Sequence, residues 1–90
     1  MQKIKVSNML SPSGKAIPTQ TNIKTADGVY FQSYSTLIAF ENNNGDVFLD
    51  KKKWDCSVTT GRYRNIFLGE SKKETQAKIK SGEYTLMDLN

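Results

Sequence analysis

The chain has 90 residues, of which 24% are charged, with 13 Lys and Arg against 9 Asp and Glu, a net charge of +4, one cysteine and no histidine. That length allows one domain over residues 1–90 with one modest core, and the composition is too polar for a membrane protein and too apolar for wholesale disorder. With no imidazole for metal binding or proton transfer, and only Cys56 where a small secreted domain needs disulfides, we expect a cytoplasmic, non-enzymatic protein without cofactor or metal.

No stretch spans a bilayer. The longest apolar run is Leu37-Ile38-Ala39-Phe40, far short of the roughly 20 residues required, and the basic N-terminus has no apolar stretch behind it to make a secretory signal. Residues 3–6 fit a short strand, with Ile4 and Val6 alternating against lysines. Residues 7–20 read as a long loop, because Ser11-Pro12-Ser13-Gly14 and Pro18 are turn formers and breakers.

Residues 21–50 read as an antiparallel β-meander. Asp27-Gly28 marks one hairpin and Asn42-Asn43-Asn44-Gly45 a second turn, with positive φ expected at Gly28 and Gly45. Tyr30 and Tyr34 fall on one face and Phe31 on the other, which requires a helix over at least one face.

Residues 59–82 read as helical. Thr59 or Thr60 is a candidate cap for a helix over 61–68 that ends at Gly69 and packs through Tyr63, Ile66 and Phe67. Ser71-Lys72-Lys73-Glu74 fits a capping box, opening a helix that stops at Ser81-Gly82 and shows only Ala77 and Ile79 as apolar face, so it belongs on the surface. Residues 84–89 alternate like an edge strand. The fold class is therefore α+β: a small antiparallel sheet of 3–5 strands with one or two short C-terminal-half helices packed on one face.

Catalytic signals are weak. Ser13-Gly14-Lys15 lacks the first glycine and the following Ser/Thr of a phosphate loop, and Pro18 blocks the helix that would hold the phosphate. Asp46, Asp50 and Asp55 are the available carboxylates, and Asp46 and Asp50 flank a strand, where acids serve solubility. Cys56 is expected to pack as a small, semi-buried hydrophobe.

Charge distribution is more informative. Residues 1–50 are neutral, residues 51–82 carry +6 and residues 83–90 carry −2. Lys51, Lys52, Lys53, Arg62, Arg64, Lys72 and Lys73 are candidate contacts to nucleic acid or another anionic partner, and Trp54 and Tyr34 are candidate stacking rings. Trp54 also reads as a core residue whose neighbouring lysines solvate a turn.

Ser7-Asn8-Met9-Leu10-Ser11-Pro12, Tyr30-Phe31-Gln32-Ser33-Tyr34, Leu49-Asp50, Trp54-Asp55 and Thr59-Thr60-Gly61-Arg62-Tyr63-Arg64-Asn65 resemble a family of short uncharacterised proteins encoded by tailed bacteriophages and prophages. The likeness runs through Phe67-Leu68-Gly69-Glu70 to the final Asn90, and Thr19-Gln20-Thr21 departs from a more apolar form of that stretch. It implies an origin and an accessory role in a bacterial host, and no mechanism. Three functions compete: binding nucleic acid or a nucleoprotein through a basic surface, inhibiting a host protein, and sequestering an anionic nucleotide.

Overall fold

The computed structural model describes residues 4–90, and glycines marked in the sequence stand where its chain reverses. Six strands form one sheet in chain order: β1 (Lys5–Leu10), β2 (Ala16–Lys24), β3 (Gly28–Ser33), β4 (Thr36–Asn42), β5 (Val47–Asp50) and β6 (Tyr84–Met87). Neighbours from β1 to β5 are antiparallel, and β6 lies parallel to β5. A parallel pair needs a long crossover, and two helices supply it, α1 (Val58–Leu68) and α2 (Lys72–Ser81). Lys3, at the start of the expected first strand, lies outside the described residues. Among the described residues no helix is long and apolar enough to cross a membrane.

Gly28 and Gly45 have φ of 153° and 86°, as their turn positions require. At Gly28 space is also limiting. An added Cβ would lie 2.7 Å from Asn42 Cα and 2.9 Å from Phe40 Cε1, and would collide with the Glu41 carbonyl oxygen.

The expected 7–20 loop is instead the β1–β2 hairpin, so the sheet has six strands rather than 3–5. Its turn is closed by the Gly14 N–H on Ser11 O (2.8 Å) and the Ser11 N–H on Lys15 O (2.8 Å). Pro18 survives inside β2 because it sits in a bulge. Asn8 pairs with Thr21 and the next residue, Met9, pairs with Ile17. Residues 18–20 therefore have no partner on β1, and the ladder does not need the N–H that proline lacks.

The core lies on one side of the sheet. Phe31, Ala39 and Leu49 are in cross-strand register and have no exposed surface. Burying Phe31, Ile38 and Leu49 contributes about 1.5–3 kcal/mol each. Helix α1 covers this side, with Phe67 stacked on Phe31 at 5.7 Å between centroids. On the opposite side Tyr30, Phe40 and Phe48 form a half-exposed cross-strand row, with centroid separations of 4.3 and 6.1 Å.

The α1 cap is Ser57, not Thr59 or Thr60. Its Oγ accepts the Thr60 N–H at 3.1 Å and donates to the Thr60 hydroxyl at 3.0 Å, and that hydroxyl also makes a buried hydrogen bond with Ser33 at 2.9 Å. The buried stripe is Thr60, Tyr63 and Arg64, flanked by half-buried Phe67. Ile66, expected inside, is 46% exposed, because it sits about 100° around the helix from Phe67. In α2 the Ser71–Glu74 capping box is present. Ile79 packs against the core, whereas Ala77 is exposed and its expected inward place goes to Thr75. Cys56 is exposed rather than semi-buried.

Candidate functional site

Residues 51–57 link β5 to α1, and Asp50 shapes the first part of this link. Its carboxylate is buried at the end of β5. Oδ2 accepts the N–H groups of Lys52 (3.2 Å) and Lys53 (2.9 Å), and Oδ1 accepts that of Leu89 (2.9 Å). Burial pushes this carboxyl up, but the hydrogen bonds outweigh it and hold it below its ordinary value. Asp50 is thus a bracket for the turn, not the solubilising flank expected of it. Lys51, Lys52 and Lys53 emerge from the bracket exposed and without an ion pair among the described residues.

Tyr34 lies at the same end of the sheet, in the β3–β4 turn. Its next residues, Ser35 and Thr36, line one depression of about 390 Å³ together with Asp50, Lys52, Lys53, Asp88 and Asn90. Tyr34 is 63% exposed. Its φ of 55° makes it the only non-glycine residue with positive φ among those described. Its N–H donates to Thr19 O at 2.7 Å and its carbonyl accepts Gln32 Nε2 at 3.0 Å. Asn90 closes this end by taking the Leu37 N–H at 2.7 Å and donating to the Leu37 carbonyl at 3.0 Å.

The remaining predicted contacts divide. Arg64, expected on the surface, is almost completely buried. Its Nη1 donates to Trp54 O (2.7 Å) and Asp55 Oδ1 (3.1 Å), and its Nη2 donates to Asn65 Oδ1 (3.0 Å). The guanidinium also lies 5.1 Å from the centre of the Trp54 ring. Arg64 is therefore a structural tie, and Trp54 is half-buried against the core with that cation beside it. Lys72 is held by Asp55 at 2.7 Å. Burial raises the Asp55 carboxyl, but Lys72 and Arg64 overcome this and leave it lowered. Arg62 and Lys73 are exposed and carry no ion pair among the described residues. Arg62 opens with Lys72 on a cleft along α1, a different depression from that of Lys52 and Lys53.

A further polar cluster lies at Glu70, which the sequence did not mark. Glu70 accepts from Tyr84 Oη (2.6 Å), Thr75 Oγ1 (2.6 Å) and Lys78 Nζ (2.8 Å). Burial pushes Glu70 up, and these hydrogen bonds bring it below its ordinary value. Burial beside Glu70 pushes the Tyr84 phenol up to about 12. The cluster ties α2 to β6. It presents no free nucleophile and base to a substrate, since each member is occupied by another. Among the described residues no three potential ligands gather to hold a metal ion.

The chain is an α+β domain with one helix-covered sheet face and a lysine-bearing turn at one end. Residues 4–83 match the model of a family of unknown function, DUF8033, and the chain belongs to that family. Comparison with curated proteins and with solved structures gives no match.

Proposed function

We propose that the protein is a non-enzymatic accessory module that holds single-stranded nucleic acid, free or in a nucleoprotein, on the end of its sheet. Lys51, Lys52 and Lys53 neutralise phosphates, and Tyr34 stacks on a base. The observation that supports this reading is the exposed Tyr34 ring, kept in a left-handed turn whose residues line the same depression as two of the lysines. A tyrosine there costs about 1–2 kcal/mol that glycine would not, and stacking on a base returns about 1–3 kcal/mol when a strand is bound. The lysines cannot act as a buried network, since all three side chains are in solvent. In keeping with the resemblance of the sequence, the same proposal places the module among phage accessory proteins acting in the cytoplasm of a bacterial host.

The test is fluorescence anisotropy with short single- and double-stranded DNA and RNA at several salt concentrations. Wild type should prefer single strands. Lys51→Ala/Lys52→Ala/Lys53→Ala should weaken binding alike across sequences and reduce the salt slope by about 2, at about 0.7 per lost phosphate contact. Absence of binding to any of these nucleic acids at low salt removes the proposal.

A further inference from the structure

Along α1, away from the lysine turn, lies a cleft of about 830 Å³. Buried Gly61 lines it, with Val58 and Ile66 from the same helix and Pro12 from the β1–β2 turn. Val58 and Ile66 are 83% and 46% exposed. Scattered exposed aliphatics are ordinary on a protein surface, but these share one concavity. Val58 is also the first residue of α1, whose first turn holds no acid. The positive end of the helix dipole favours an acidic side chain there, so local helix chemistry does not account for the valine.

The charge around these aliphatics is one-sided. Arg62, Arg64 and Lys72 line the cleft against the single carboxylate of Asp55. Asp55 is already committed to Arg64 and Lys72, so among the described residues Arg62 has no counter-charge and the buried Arg64 Nε no hydrogen-bond partner. No aromatic ring lines the cleft, so unpaired bases would find nothing to stack on.

From this combination we infer that the cleft docks a short peptide segment of a partner protein, in which an aliphatic side chain stands beside a carboxylate. The aliphatic group packs on Val58, Ile66 and Pro12, and the carboxylate meets Arg62. The module then has two faces, one for a nucleic-acid strand and one for a protein.

The experiment pans a display library of short random peptides against the wild-type protein and measures the enriched peptides by fluorescence anisotropy. The variants are Val58→Asp, Ile66→Asp and Arg62→Glu. All three positions are exposed, and the new aspartate at 58 suits a helix start, so thermal melts should remain near wild type. Enriched peptides should pair acidic with aliphatic residues and bind each variant about tenfold more weakly, a typical loss at an interface anchor. Binding of single-stranded DNA through the lysine turn should be unchanged in Val58→Asp, which separates this inference from the nucleic-acid proposal. Enrichment without acidic residues, or equal binding by wild type and Val58→Asp, overturns the inference. So does a loss of single-stranded DNA binding in the cleft variants, which would make the cleft part of a nucleic-acid surface.

Discussion

Tyr34→Gly should make the protein more stable and less able to bind. Tyr34 is 63% exposed, so removing its ring forfeits little burial. The backbone hydrogen bonds to Thr19 and Gln32 survive the change, because both use main-chain atoms of residue 34. What is relieved is the left-handed φ of 55°, worth about 1–2 kcal/mol for a side chain with a Cβ. Glycine returns about 0.5–1 kcal/mol of this through its freer unfolded chain. The net gain is about 0.5–1 kcal/mol, a rise in Tm of about 4 °C for a domain of this size. Loss of one stacked base costs about 1–3 kcal/mol of affinity, or about 5- to 150-fold. Thermal melting and anisotropy on the same preparation read both effects. A fall in Tm would show that the ring packs rather than waits for a ligand. A raised Tm with unchanged single-strand affinity would refute the stacking role.

Arg64→Ala should destabilise by about 2–3 kcal/mol, the scale for losing charge-assisted hydrogen bonds at a buried site, and chemical denaturation would show it. Gly28→Ala should cost about 3 kcal/mol from clash and backbone strain, whereas near-wild-type stability would mean that β3 and β4 are further apart at this turn. In acid, Asp50, Asp55 and Glu70 all sit below their ordinary values of 3.8, 3.8 and 4.5. Their stabilisation is full above those values and fades as pH falls through the depressed ones, so denaturation midpoints should drop in that range, and less steeply in Asp50→Asn. In alkali the sign is reversed: Tyr84, raised from 10.0 to about 12, favours folding fully below pH 10.0 and loses that contribution as pH climbs toward 12, a decline that Tyr84→Phe should reduce.

The sequence carried most of what depends on a few adjacent residues. Asp27-Gly28, the asparagine-glycine turn at 42–45 and the Ser71–Glu74 box each specify backbone geometry within a handful of positions, and each stands as expected. Pro18 misled because a bulge is defined by two strands together. Nothing near Pro18 in the chain announces that Met9 skips to Ile17. Arg64 misled for the same reason. An arginine can occupy a buried helix position only when acceptors meet it, and Trp54 O and Asp55 do so from the preceding turn. Of the predicted cationic site, Lys51–Lys53 stayed together, while Arg64 entered the interior and Lys72 was taken by Asp55.

The closing of the sheet by β6 has a kinetic consequence. Each pairing from β1 to β5 joins strands consecutive in the chain, but Leu49 pairs with Leu86 across the whole length of both helices. Loop-closure entropy delays such distant pairings, so the five-strand meander should form in the folding nucleus and β6 should dock after it. The reverse process should start at the same place. In the native state α2 and β6, tied through Glu70 and Tyr84, should detach as one cooperative unit before the meander opens. Native-state hydrogen exchange would then show a shared, lower opening free energy across residues 72–87 and full protection in β3 and β4. Each such opening uncovers the outer edge of β5 and the core beneath Tyr84, a transient template for strand pairing between copies.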